Sequence, residues 1–131
     1  MKKDIEIPEV DGVFMAVALE ENNDFRTMDW NAYLVNDKDI PLDTVLIVSR
    51  GYDHEDTTST MRHSIDELPP KSFARIEFLQ EDVLRLNNEF SVSFFTKSGM
   101  YHKKFIFPKN SIRQDALQDV PQLDRPAVVV K

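Results

Sequence analysis

Along most of this chain apolar side chains recur at every second position, and that period admits strands and little else. Val13, Met15, Val17 and Leu19 would line one face of a first strand, with Phe14, Ala16 and Ala18 on the other, so this strand reads as buried on both sides. Trp30, Ala32 and Leu34 alternate with Asn31, Tyr33 and Val35 in a second strand, Asp29 to Val35. A third, Thr44 to Ser49, is rich in β-branched residues. A weakly apolar fourth, Thr57 to His63, reads as an edge strand. The fifth runs from Phe73 to Leu79, with Ala74, Ile76 and Phe78 expected inward and Arg75 and Glu77 outward. The sixth spans Glu89 to Thr96 and the seventh Tyr101 to Phe107, joined by a turn at Lys97-Ser98-Gly99. Glu81 to Leu86 fits one helical turn between strands.

The punctuation agrees with the pattern. Three glycines (12, 51 and 99) fall at strand ends or turns, and all seven prolines lie outside the expected strand interiors. Beyond Pro108, Ser111-Ile112-Arg113-Gln114 has the spacing of a capping box, so a short helix to about Gln118 is expected, then a last strand over Ala127 to Val130. At 131 residues the chain has the length of one domain, residues 1–131. About seven short antiparallel strands with regular turns imply an all-β, antiparallel β-sandwich of immunoglobulin-like type with a short C-terminal helix; the alternative is a small closed β-barrel.

Composition removes whole classes of function. With no cysteine there is no disulfide, thiolate nucleophile, zinc finger or iron–sulfur cluster. Three scattered glycines leave no phosphate-binding loop. Met1-Lys2-Lys3 has the charge of a leader start, but Asp4, Glu6, Glu9 and Asp11 follow, and no stretch approaches the ~20 apolar residues of a membrane span, so the expectation is a cytoplasmic protein with no membrane contact. A net charge of −7 argues against general nucleic-acid binding.

Four constellations remain. Asp53-His54-Glu55-Asp56 gathers carboxylates and an imidazole, but it matches no metal-loop spacing and reads as a solvated acidic turn; no metal and no cofactor are expected. With Arg50, the residues Asp53 and His54 are the first candidates for a small-ligand loop at one end of the sandwich. Three dispersed histidines single out no acid–base pair, and His102 alternates with Lys104 and Ile106 on an outward strand face. Thr57 to Thr60, flanked by Arg50 and Arg62, reads as a polar edge. The fourth is the acid-free stretch Thr96 to Gln114, which carries Lys97, Lys103, Lys104, Lys109 and Arg113 with Tyr101 among them. Without those five bases the chain has 11 bases against 23 acids, a charge of −12. A basic hairpin of this kind could contact RNA or an acidic protein; the plainer reading is lysines guarding an edge strand.

The stretches Gly12 to Glu20, Asp29 to Asn36 and Phe107 to Ser111 resemble a family of small, uncharacterised bacterial proteins, some labelled phenylalanyl-tRNA synthetase alpha subunit. The resemblance runs the full length but rests on strand and turn patterns. A class II synthetase catalytic subunit is much longer and needs arginine-bearing motifs that this chain lacks, so the resemblance implies at most an association with translation and assigns no residue. The expected function is a non-enzymatic interaction or accessory module, partnered by another protein or by a second copy of the chain. RNA or tRNA binding by the hairpin, and a small ligand at loop 50–56, stand as alternatives.

Overall fold

The structure, a computed structural model, describes residues 10–131. The leader-like start at Met1 and the proline at position 8 lie outside them. Among the described residues nine strands make two antiparallel sheets. Sheet A contains β1 (Val13–Asn22), β2 (Thr27–Asn36), β5 (Ser72–Leu79), β8 (Gln118–Val120) and β9 (Arg125–Val130), in the order β5-β2-β1-β9-β8. Sheet B contains β3 (Leu42–Tyr52), β4 (Met61–Leu68), β6 (Asn87–Thr96) and β7 (Gly99–Phe107), in the order β4-β3-β6-β7. The sheets form a sandwich and do not close into a barrel: β5, β8, β4 and β7 are all edges.

The inner faces share one core. Met15, Val17 and Leu34 of sheet A meet Ile47, Phe90, Val92, Phe94, Phe105 and Phe107 of sheet B, all buried. Phe90 and Phe107 meet edge to face, centroids 5.9 Å apart. β1 is buried on both faces from Val13 to Ala18, as its two-sided apolar pattern requires. It lies in mid-sheet, where β2 pairs with it residue for residue from Val13↔Asn36 to Asn22↔Thr27.

Three expectations are corrected. β4 starts at Met61 and not at Thr57, which makes only an isolated bridge to Tyr52. Its register is fixed where Ile65 and Leu68 turn inward opposite Val45 and Leu42. The short C-terminal helix is absent: Gln114–Ala116 forms a single 3₁₀ turn capped by extended Arg113, and the Ser111 hydroxyl, buried, has no hydrogen-bond partner among the described residues. Ile112 must reach the core, and β8 then takes the following backbone into sheet A, leaving too few residues to nucleate a helix.

The third correction concerns which way β5 faces. Its pairing with β2 slips by one residue: Ala32 opposes Glu77 but Tyr33 opposes Arg75, so Ile76 is the extra residue of a bulge. Beyond the slip Glu77 and Leu79 turn inward, and Phe78, expected inside, is exposed. A second slip lies in β3, where Thr44 has φ 48° and pairing with β6 skips from Asp43 to Leu46. Leu42 and Val45 both point inward across it, and Leu46 is thrown to the outer face, 50% exposed. A left-handed β-branched residue costs about 1–2 kcal/mol, so burial of Leu42 and Val45 must outweigh that strain.

The facing of β6 is testable at two adjacent phenylalanines. Phe94 is 2% exposed and Phe95 44%. Phe94→Ala is expected to cost about 3–5 kcal/mol in urea unfolding and Phe95→Ala less than about 1 kcal/mol; equal losses would mean that the strand faces are misassigned.

Candidate functional site

Sheet A ends in β5 and sheet B in β4, and the sandwich is open between these edges. A cleft of about 690 Å³ lies there. Ile76, Leu79, Val83 and Phe90 supply its apolar wall, and Gly51, Thr58 and Ser59 border it. Gly51 N–H donates to Thr58 Oγ1 (2.7 Å) and Thr58 N–H donates to Gly51 O (2.8 Å), which ties the segment after β3 back to the strand. A Cβ at Gly51 would meet Thr58 Cγ2 at 3.1 Å, so the close approach favours glycine.

The polar centre of the cleft is Glu77. The β5 bulge turns its carboxylate toward sheet B, and the side chain is 9% exposed. Ser49 Oγ donates to Glu77 Oε1 at 2.5 Å, and His63 Nε2 lies 2.9 Å from the same oxygen. Serine, histidine and a carboxylate are thus together, but in the wrong order for covalent catalysis. A nucleophilic serine needs the imidazole as its base; here both groups bond the acid. The arrangement anchors a buried carboxylate.

The loop candidates do not meet. Asp53 accepts backbone N–H groups of Glu55 (2.8 Å) and Asp56 (2.7 Å). These bonds, that of Asp56 first, hold its carboxyl below the usual range. Arg85 bridges Asp53 and Asp56 from outside, and His54 is exposed beside Glu55. Arg50 borders the cleft, yet its guanidinium lies over the Tyr52 ring and its Nε bonds Glu89 at 3.3 Å.

The basic hairpin is likewise divided. Lys104 points to the outer face of sheet B, 3.8 Å from Glu89. Lys103 is on the inner side, over the Phe105 ring. Tyr101 stacks on Phe94 at 5.4 Å. Lys97 is at the turn, Lys109 beyond the far end of β7, about 30 Å away at strand rise, and Arg113 pairs with Asp115 at 3.0 Å. These six residues share no one surface.

Sequence reasoning missed Glu77 as a site residue because strict alternation sends it outward. The one local trace of the slip is the adjacent apolar pair Phe78-Leu79. It missed equally a cluster on the outer face of sheet A. There Glu20 Oε1 accepts Asn31 Nδ2 (2.9 Å) and the Tyr33 hydroxyl (2.6 Å), while Arg125 bonds Glu20 Oε2 and the Tyr33 oxygen and lies over the Tyr33 and Phe73 rings. No motif links residues so far apart in the chain.

Among the described residues no three His, Asp or Glu side chains are grouped to hold a metal ion, and no helix is long and apolar enough to cross a membrane. No family model, curated protein or solved structure matches the chain.

The outer cluster gives a pH test. Burial alone would raise the Glu20 carboxyl, but the hydrogen bonds from Tyr33 and Asn31 and the charge of Arg125 outweigh it and hold the group below its ordinary 4.5. Its stabilisation is therefore complete above pH 4.5 and is lost as pH falls through the lower folded value. In urea unfolding, the gap between wild type and Glu20→Gln should be widest near neutrality and shrink steadily in acid. Burial, then the bond to Glu20, pushes Tyr33 up to about 12. An ultraviolet titration should show a tyrosine ionising that late, a step absent from Tyr33→Phe.

Proposed function

We propose that this chain is a non-enzymatic interaction module of immunoglobulin-like topology, and that it docks protein against the outer face of sheet B, with a second copy of itself as occupant. The topology is supported by strand order: β1, β2 and β5 share one sheet and β3, β6 and β7 the other, as in an immunoglobulin-like sandwich whose fourth strand pairs with the third. β8 and β9 extend the first sheet beyond β1.

The observation that carries the docking reading is the apolar exposure of one sheet face. Leu46, Phe95, Met100 and Ile106 all stand out from sheet B. Phe95 opposes Met100 across the β6–β7 ladder, and Leu46 lies one rung along, opposite Ser93. Between the apolar groups are the small side chains Ser64, Ser91 and Ser93, and His102, which meets the Ser93 hydroxyl at 2.9 Å.

Charge on this face favours a copy of itself. Asp43 and Glu67 oppose each other at the Phe95 end, whereas Arg50, Arg62 and Lys104 lie toward the other, where they outnumber the one acid, Glu89, that Arg50 and Lys104 pair with. A two-fold stack with strands antiparallel sets the acidic end of one copy over the basic end of the next, with apolar groups between. Four strands by four rungs give roughly 500 Å² per copy, the low end for a specific interface, so the association is weak.

The basic stretch supports RNA binding less well, since Lys103 and Lys104 lie on opposite faces and Lys104 is engaged with Glu89.

Sedimentation velocity across a concentration series tests the reading. The wild type should dimerise with Kd of about 10–100 μM, and Leu46→Asp, at an exposed position, should weaken it at least tenfold without loss of stability. A wild type monomeric at about 0.5 mM, or a Leu46→Asp dimer as tight as wild type, would sink the self-docking.

A further inference from the structure

The cleft between β4 and β5 holds one carboxylate, that of Glu77. Glu77 Oε1 is taken by Ser49 and His63, whereas Oε2 has no partner among the described residues and is open to the cleft. Asn88, on the same wall, donates both hydrogens of its amide, to Val83 O (3.0 Å) and Leu86 O (3.1 Å), so its Oδ1 is the end left to accept. Arg50, which borders the cleft, is turned away to Glu89. No lysine or arginine among the described residues forms an ion pair with Glu77. The cleft is also bordered by the Thr58 and Ser59 hydroxyls and the Gln80 amide, but Glu77 is its one carboxylate, set in an apolar wall of Ile76, Leu79, Val83 and Phe90.

A carboxylate so enclosed is kept by the two bonds to Oε1, yet those bonds leave its second oxygen without a protein donor. What complements it is a donor-rich positive head carried on an apolar body. We propose that the cleft is a binding site for an alkyl- or arylalkyl-ammonium group, with the ammonium on Glu77 Oε2 and the hydrocarbon against Leu79, Val83 and Phe90. The positive head gains a charge-assisted hydrogen bond in a half-enclosed site, where solvent screens it less than at the surface. The hydrocarbon gains by leaving water. The first gain is not available to an anion, which Glu77 repels. A free amine and a protein lysine share this chemistry.

The test is a ¹⁵N–¹H NMR titration with 2-phenylethylamine, matched against 2-phenylethanol. The amine should shift the amides of Ser49, Gly51, Glu77 and Phe90 and saturate with Kd of about 1 mM, and the alcohol should bind at least tenfold more weakly. Glu77→Gln, which keeps the side-chain shape, should lower the amine's affinity at least tenfold and leave that of the alcohol unchanged. Equal binding of amine and alcohol, undiminished amine binding by the variant, or no shift at these amides up to about 20 mM overturns the proposal. The amine–alcohol comparison on wild-type protein decides the matter even where the variant does not fold. A parallel titration with Nα-acetyl-lysine methylamide separates the sources: tighter binding than 2-phenylethylamine assigns the cleft to a lysine side chain, weaker binding to a free amine.

Discussion

A strand has only two faces, and a slip of one residue exchanges them. Two such slips decide what this sandwich presents to its surroundings. In β3 the extra residue is Thr44, held at φ 48°. Because of it Val45 stays in the core and Leu46 reaches the outer face of sheet B. In β5 the extra residue is Ile76, and because of it Glu77 turns inward while Phe78 turns out. With the slips removed, Leu46 would be a core residue and Glu77 a solvated surface acid. The docking face would lose its central apolar group, and the cleft would lose its charge.

This explains which parts of the structure could be read from the chain. The architecture was legible because alternation, glycines and prolines report on strands as units. The two-sided burial of β1, the edge position of β4 and the β6–β7 hairpin follow from residues a few positions apart. A bulge is different. Its energy is set by the partner strand, and the local sequence carries only a faint sign of it. Val45-Leu46-Ile47-Val48 is apolar throughout, so no break in alternation marks the slip at Thr44. The helix expected from Ser111 fails for a related reason. The capping residues are in place, but Ile112 is drawn into the core and β9 claims the next segment as β8. Tertiary burial overrides the local signal.

Charge along the chain translates into space just as indirectly. The acid-free stretch from Thr96 to Gln114 looks like one basic surface only while it is written as a line. Folded, successive side chains of β7 leave by opposite faces. Glu89 then shows what one of the bases does: it is buried on the outer face of sheet B, where Lys104, with Arg50 from β3, approaches its carboxylate and the Tyr52 hydroxyl donates to it at 3.2 Å. Part of the positive charge therefore serves an acid of the same sheet. What remains balances Asp43 and Glu67 at the other end of the face, which makes the face dipolar rather than basic.

The opening between β4 and β5 raises the question of why these edges do not pair and close the sandwich into a barrel. An inward carboxylate answers it. An acid that points between the sheets near an edge opposes the approach of any further strand, because the newcomer would have to bury that charge. Ser49 and His63 make Glu77 tolerable in its own fold by bonding one oxygen, yet they do nothing for the other. The same residue thus ties β5 to β4 at one point, through His63, deters a further strand and gives the opening its sign. A group able to settle there must bring donors and positive charge, and a backbone strand brings only neutral amides.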